Sequence, residues 1–464
     1  MSRIVVLGGG MIGLATAMLL GRQGHDVTVF EKDATPRPAS PDAAWEDWDR
    51  RGVVQFRQPH FLQPAGRWLL EEHLPEVAQA LAAAGCLPFD LLAQMPRSIT
   101  NRDKRAGDDR FVTLTGRRTT LEFAVATAAE RMVQVERGVT VTRLVTGRSL
   151  RDGVPHVTGV CTSAGEEVSA DLVVDATGRK SNLVDQLVAI GARPPLESTE
   201  ESAFFYYTRF FRGSNPPQFR AGFLANFHSF SLLTLPGDSG TWSVTVFFFS
   251  GDAALKALRD PARWTKLISA CPAHAHWLEG EPISDVLPMG GVTDRYRRLM
   301  VDGMPVATGV LAVGDALVCT NPVGGRGISI GLMHAVGTAE VVGEYLDDPV
   351  ELARAHDRMT QARVTPWYTY TVGFDRAHTA QIRAATEGRP TPLPTGPGAA
   401  LGVAMLHDAT LFRAAMEIMG LLALPHEVYA RPGLIDRAMK LADVHAPTVP
   451  PGPSRTELLR MLAA

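Results

Sequence analysis

The chain has 464 residues, of which 45% are hydrophobic and 20% are charged, and its formal net charge is −3. This length allows two or three domains, and the composition is typical of a globular enzyme. A charge this close to zero provides no basic field, so we expect no nucleic-acid partner and no membrane contact. The four cysteines are far apart and form no CxxC or Cys/His cluster. The sequence therefore predicts no metal site, no disulfide framework and a cytoplasmic location.

The amino-terminal residues follow the pattern of strand, glycine-rich turn, apolar helix and second strand, and the second strand ends at Glu31. Three glycines have the spacing that allows a tight turn, the approach of backbone to a pyrophosphate, and close packing of helix on strand. They are Gly8, Gly10 and Gly13. A carboxylate about 20 residues further on can accept hydrogen bonds from an unphosphorylated ribose, and Lys32 follows it. The pattern predicts a dinucleotide site, with a plain glycine turn or a cleaved secretory signal as the alternatives.

The next segment, residues 34–60, is rich in proline and charge, and we expect a long loop that contains a short helix. Its arginines include Arg51 and Arg57. After Gly116 an alanine-rich helix is predicted, with Thr119 or Thr120 as its cap.

Two further strands end in glycine turns. One ends at Asp175 and is followed by Gly178; the other ends at Gly314 and Asp315 and leads to a second glycine-rich turn at residues 321–327. An aspartate at a strand end can be a simple helix cap. Two such turns on either side of an intervening region are better explained by a long cofactor that lies across both.

The intervening region is aromatic, because 11 of the 19 phenylalanines lie between residues 204 and 249. Strand-like runs and Pro-Gly or Ser-Gly turns predict an antiparallel sheet. Most of these rings are expected to fill the core of the sheet, and a minority to line a ligand cavity. The predicted substrate-binding residues are Phe205, Tyr207, Arg209, Phe223 and Phe247.

Taken together, the three glycine-containing stretches resemble the FAD fingerprints of the single-component flavin monooxygenase superfamily over about residues 1–345. The resemblance implies that the first turn holds the ADP half of FAD, that Asp315 binds the ribityl chain, and that residues 324–327 approach the pyrimidine edge. An arginine at the start of the alanine-rich helix contacts FAD in relatives. The implied cofactor-binding residues are Gly8, Gly10, Gly13, Glu31, Lys32, Arg118, Asp175, Gly178, Gly314, Asp315, Pro322, Gly325, Gly327 and Ile328.

Residues 52–66 are similar to a segment of natural-product flavin epoxidases, and the DATGR sequence at 175–179 is shared with epoxidases, prenyl reductases and halogenases. The resemblance implies a monooxygenase that transfers one oxygen atom from a flavin C4a-(hydro)peroxide to a bulky apolar, unsaturated or aromatic substrate in secondary metabolism. The reaction is either epoxidation or hydroxylation. The alternatives are a reductase or dehydrogenase of prenyl chains, and a flavin halogenase, although the Trp-x-Trp-x-Ile-Pro signature of halogenases is absent.

In this scheme the partners are O2, the apolar substrate and NAD(P)H, which acts directly or through a separate flavin reductase. The cofactor carries out the oxygen transfer, so no catalytic side chain is predicted. The expected fold is α/β: a Rossmann-like FAD-binding domain with an inserted antiparallel-sheet substrate domain and a carboxy-terminal helical region. The expected boundaries are 1–190 and 296–345 for the FAD-binding domain, 191–295 for the sheet domain, and 346–464 for the helices.

Overall fold

The computed structural model describes residues 1–201, 203–392, 395–446 and 449–463. The strands are β1 (Arg3–Leu7), β2 (Asp26–Glu31), β3 (Pro59–Phe61), β4 (Leu87–Asp90), β5 (Val112–Arg117), β6 (Gln134–Arg137), β7 (Val141–Thr146), β8 (Val157–Thr162), β9 (Glu167–Ser169), β10 (Leu172–Asp175), β11 (Leu196–Glu201), β12 (Phe204–Arg212), β13 (Leu224–Asn226), β14 (Phe230–Pro236), β15 (Thr241–Phe249), β16 (Glu281–Pro282), β17 (Leu287–Met289), β18 (Thr293–Arg298), β19 (Met300–Val301), β20 (Met304–Pro305), β21 (Val310–Ala312) and β22 (Val318–Cys319). The helices are α1 (Met11–Arg22), α2 (Pro41–Glu46), α3 (Pro64–His73), α4 (Pro75–Ala83), α5 (Arg118–Ala129), α6 (Leu183–Ala189), α7 (Pro261–Ser269), α8 (Gly327–Tyr345), α9 (Pro349–Arg363), α10 (Thr365–Thr386), α11 (Pro397–Ala404), α12 (Ala409–Met419), α13 (Pro425–Tyr429), α14 (Leu434–Val444) and α15 (Arg455–Ala463).

A parallel sheet of five strands, in the order β21-β10-β1-β2-β6, forms the centre of the nucleotide-binding part. Because side chains alternate along a strand, Ile4 and Val6 pack with α1, α5 and α8 on one face. Val5 and Leu7 pack on the other face with the three-stranded sheet β7-β8-β9. Both faces are therefore covered, and the expected α/β fold is confirmed.

A second sheet is antiparallel and has the order β13-β14-β15-β12-β16, with β17 also paired to β12. One of its faces packs Phe211 and Trp242 against α7 and the nearby Trp277. The opposite face carries Tyr206 and Phe247, which are cross-strand neighbours in the register of β12 and β15. This is the inserted sheet that the phenylalanine-rich sequence predicted. The domain boundaries at residues 190, 295 and 345 remain our proposal.

The helices that follow α8 pack on both parts. Phe412 and Met416 of α12 join a core cluster that contains Phe61 and Phe223, and Arg413 makes a buried ion pair with Asp108. In the described ranges, no helix is both long enough and apolar enough to cross a bilayer.

The start of α5 differs from the prediction. The helix begins at Arg118, with Arg117 in the cap position and no side-chain cap hydrogen bond, so neither Thr119 nor Thr120 is the cap. Instead, the Thr120 hydroxyl donates to the buried carboxylate of Asp238. A contact with the inserted sheet, which is distant in sequence, thus replaces the local cap.

Candidate active site

The first glycine turn has three positions with different surroundings. Gly8 has φ +102°, and a Cβ atom there would lie 2.6 Å from the carbonyl oxygen of Ala176. A Cβ at Gly13 would lie 2.0 Å from the Gly8 oxygen, so close packing excludes a side chain at both positions. At Gly10, which precedes α1, a Cβ would have no neighbour within 4 Å. The open side of Gly10 at a helix N-terminus fits a pyrophosphate.

Glu31 is held at the end of β2 by a buried polar network. One carboxylate oxygen, Oε2, accepts from the Gly9 amide at 2.9 Å and from Arg50 Nη2 at 2.6 Å. Arg50 also donates to Glu122 at 3.0 Å, and Arg118 pairs with the other oxygen of Glu122 at 2.6 Å. The carboxylate is thereby oriented beside the glycine turn, where a ribose could be bound.

Sequence reasoning missed Arg50, although it singled out its neighbours in the loop. Arg51 has a side chain that is 92% exposed and pairs with Asp49. Arg57 stacks on Trp45, with its guanidinium carbon 5.1 Å from the ring centroid. In this irregular loop, the guanidinium of one arginine enters the site while that of the next residue faces solvent. The sequence has no periodic pattern here that would predict which of the two enters.

Asp175 closes the turn after β10. Its carboxylate accepts from the Thr177 amide at 2.9 Å, from the Thr177 hydroxyl at 2.5 Å and from the Ser181 hydroxyl at 2.5 Å. Gly178 follows with φ +74°. Its hydrogen bonds show that Asp175 shapes the backbone at this edge of the site.

Asp315 follows Gly314, whose φ is +58°, and its half-buried side chain faces the cavity. Burial raises the pKa of Asp315, while the positive charges of Arg179, Arg118 and Arg295 act in the opposite direction. A carboxylate placed in this way can accept hydrogen bonds from the hydroxyl groups of a ligand.

The second glycine turn leads into α8. Asn321 accepts a hydrogen bond from the Val323 amide at 3.3 Å, Gly325 has φ +61°, and α8 begins at Gly327. A Cβ at Gly327 would have no neighbour within 4 Å. The first amides of α8 are therefore accessible from the cavity.

A single cavity of about 480 Å³ connects these turns to the aromatic sheet. The predicted residues that line it are Gly8, Gly10, Glu31, Lys32, Arg118, Asp175, Gly178, Phe223, Phe247, Asp315, Pro322, Gly325, Gly327 and Ile328. Gly13 and Gly314 lie behind its wall, where Cβ atoms would meet Gly8 and Ile12. The dinucleotide end and the aromatic end thus belong to one continuous cavity.

Three predicted substrate residues do not line this cavity. Phe205, Tyr207 and Arg209 lie on the opposite face of β12: Phe205 and Tyr207 pack with the α7 side of the sheet, and Arg209 Nε donates to the Ser284 carbonyl at 3.2 Å. Because side chains alternate along a strand, Tyr206 occupies the cavity face instead. The sequence showed the strand but not which of its faces is inward.

Two polar groups in the cavity were not predicted as site residues. The Tyr206 hydroxyl donates to Asn321 Oδ1 at 2.6 Å, which joins the sheet to the second glycine turn. His60 also lines the cavity, and its Nδ1 lies 3.0 Å from the Gln58 carbonyl oxygen. Burial lowers the pKa of His60 to about 3, so its imidazole is neutral at physiological pH.

The fold and the site define a dinucleotide-binding flavoprotein. The open space at Gly10, the carboxylates of Glu31 and Asp315, and the helix N-terminus at Gly327 fit the phosphates, hydroxyl groups and ring edge of FAD. The chain belongs to the family described as FAD binding domain, which matches residues 1–348. It is an FAD-dependent oxidoreductase.

Known proteins with similar sequence or structure point to the same fold. Protein Rv3254 of Mycobacterium tuberculosis is 27% identical over 363 residues, which cover 71% of each chain. The structure of pqsL, a probable FAD-dependent monooxygenase from Pseudomonas aeruginosa, matches with a TM-score of 0.57 and 16% identity over 83% of this chain and 97% of that one. The flavin-dependent brominase Bmp2 matches with a TM-score of 0.61 and 15% identity over 96% and 99%. At these identities, the two structures support the fold alone.

Proposed function

We propose that the protein is a monooxygenase that uses FAD and O2 to epoxidise or hydroxylate a bulky, largely apolar, unsaturated or aromatic substrate of secondary metabolism. The observation that supports this most is the continuity of the cavity, which extends from the dinucleotide turns to an apolar end. The side chains at that end are Phe223, Leu233, Leu235, Phe247, Met289, Phe374 and Met419.

When bound, FAD supplies the two-electron chemistry and the activation of O2. The residues of the chain bind and orient the cofactor at the glycine turns, and they exclude water at the aromatic end. Burial of about 300 Å² of an apolar ligand would contribute several kcal/mol, at about 25 cal/mol per Å², before the cost of ordering. A small, fully charged metabolite would gain little from these rings.

Electrons are proposed to come from NAD(P)H, either directly or through a separate flavin reductase. The two routes differ in a simple measurement: bleaching of the flavin absorbance by NADH or NADPH in the absence of oxygen, with and without an added reductase. Bleaching by the purified chain alone would assign the direct route.

The test of the function is isotopic. The FAD-loaded protein is supplied with ¹⁸O2, a reductant and a panel of terpenoid and polyketide compounds, and products are analysed by mass spectrometry. We expect one ¹⁸O atom in each oxygenated product. Phe247→Ala should raise the KM for the substrate, and Phe205→Ala, on the other face of the sheet, is the control that should not. A brominated or chlorinated product formed with added halide, or a saturated product formed without oxygen uptake, would replace the proposal with the corresponding alternative.

A further inference from the structure

Arg326 is a buried cation in the apolar half of the cavity. The residue is 5% exposed and lines the cavity immediately before α8. A Cβ atom at Gly324 would lie 2.7 Å from Nη1 of Arg326, so the guanidinium lies against the backbone of the second glycine turn. Other cavity cations, such as Arg50 and Arg118, lie toward the dinucleotide end and pair with carboxylates.

The contacts of Arg326 leave its charge without an ionic partner. No carboxylate in the described part of the chain lies within ion-pair distance, and Nε has no hydrogen-bond partner there. Nη1 reaches the Thr371 hydroxyl only at 3.5 Å. The guanidinium stacks near the rings of Tyr370, at 5.0 Å, and Phe374, at 5.9 Å. Rings attract a cation weakly, and a buried charge normally has a counter-ion.

Two acidic groups act on the charge of Arg326, the Tyr370 hydroxyl and the carboxyl group of Asp375. Asp375 makes no ion pair with Arg326 among the described residues. Neither carboxylate oxygen of Asp375 has a hydrogen-bond partner in the described structure. Burial, reinforced by the negative charge of Asp294 and opposed by Arg326, raises the pKa of Asp375 to about 8. At neutral pH, Asp375 is therefore mostly protonated, and the positive charge remains available to a ligand.

We propose that the substrate of the reaction put forward above carries one ionised acidic group, a carboxylate or an acidic phenol or enol, and that Arg326 binds this group beside Phe374. The rest of the substrate occupies the apolar surface of Phe223 and Phe247. This inference rests on the proposed function and narrows its substrate class to apolar molecules with a single negative charge. A planar guanidinium is well suited to bind an oxyanion with two parallel hydrogen bonds.

The surface arginines offer no equivalent site. Arg51 and Arg57 do not line the cavity, although neighbouring residues of their loop do, and Arg209 lies on the far face of β12. Arg209 therefore provides a matched control, because it is a partly buried arginine near the same sheet that does not line the cavity.

The test compares matched probes on the oxidised, FAD-loaded protein, with the change in flavin absorbance as the readout of binding. The probes are 2-naphthoate and 2-naphthamide, which have the same ring and differ in charge. We expect the wild type to bind the carboxylate about 10-fold to 100-fold more tightly, as a charge-assisted contact implies. The preference should disappear in Arg326→Gln, persist in part in Arg326→Lys, and be unchanged in Arg209→Gln.

The opposite results have clear meanings. Equal affinity of the wild type for both probes would overturn the proposed anion site, while ¹⁸O incorporation into a neutral apolar compound would leave the proposed function in place. The reduced flavin ring is the other source of negative charge near this turn. If Arg326→Gln keeps the carboxylate preference but lowers the flavin midpoint potential, the proposal is wrong and Arg326 stabilises the reduced cofactor.

Discussion

At the scale of single residues, Gly10 and Gly13 belong to the same turn, but a side chain at each would meet different atoms. The Cβ at Gly13 would collide with backbone, whereas the Cβ at Gly10 would enter space that the protein itself does not fill. One glycine is thus required by the packing of the chain and the other by the space for a ligand.

We predict that Gly13→Ala lowers the stability of the FAD-free protein by roughly 1–3 kcal/mol, as overpacking does. Gly10→Ala should leave that stability unchanged but remove bound FAD, because the methyl group occupies the pyrophosphate position. Thermal unfolding measures the loss of stability in Gly13→Ala, and the flavin absorbance of the purified protein measures the loss of FAD in Gly10→Ala. Gly402→Ala, in an open part of α11, is the control. Normal FAD content in Gly10→Ala would place the phosphates elsewhere.

Asp375 leads to a pH-dependent prediction. Its pKa is about 8 in the folded protein against 3.8 for a free side chain, so the folded state retains a proton that the unfolded state loses. The free energy of unfolding should therefore fall as the pH rises from about 4 to about 8. Asp375→Asn should be more stable than the wild type at pH 8.5, by roughly 1–3 kcal/mol, and this advantage should fade at pH 5.

Urea unfolding midpoints at the two pH values measure this effect. Asp152→Asn, at an exposed turn, is the control and should show no such difference. An advantage of Asp375→Asn that was independent of pH would show that burial does not raise the pKa of this carboxyl.

At the scale of elements, Asp238 joins the inserted sheet to the FAD-binding part. It lies in the turn between β14 and β15, and its Oδ1 accepts from the Arg117 amide at 2.7 Å. Its Oδ2 accepts from Arg117 Nη2 at 2.5 Å and from the Thr120 hydroxyl at 2.9 Å. Both charged side chains are 0% exposed. This contact sets the position of the aromatic sheet relative to α5.

Asp238→Asn should lower the free energy of unfolding by about 3–5 kcal/mol, because it leaves the buried Arg117 without its main counter-ion. Arg143→Ala removes an exposed pair with Glu167, in which the side chains are 54% and 58% exposed, and should leave the free energy of unfolding nearly unchanged. Unfolding of both variants in guanidinium chloride measures the difference between their losses of stability. Equal losses would mean that burial does not distinguish the two pairs.

At the scale of the whole molecule, the cavity is formed by the parallel sheet, the antiparallel sheet and the carboxy-terminal helices together. FAD should therefore stabilise all three parts as one unit. At about 100 times its Kd it contributes about 2.7 kcal/mol, so we expect a single thermal transition that moves upward with added FAD. The FAD-binding variant Gly10→Ala should not respond. A second thermal transition whose midpoint does not change with added FAD would show that one part unfolds independently of the rest.

Local sequence patterns were sufficient to predict the nucleotide-binding fold, because strand, glycine turn, helix and acid are adjacent along the chain. These patterns predicted the positions of Gly8, Gly13 and Glu31. They also predicted the presence of an aromatic sheet. Three features depend instead on contacts between separate elements: the inward face of β12, the entry of Arg50 into the site and the capture of Thr120 by Asp238. Arg50 contacts residues that are 19 to 72 positions away, and Thr120 contacts a residue 118 positions away. A strand with aromatic residues on both faces does not indicate which face points into the cavity. Tyr206 and Arg326 line the cavity only because the sheet, the second glycine turn and α10 pack around the same space.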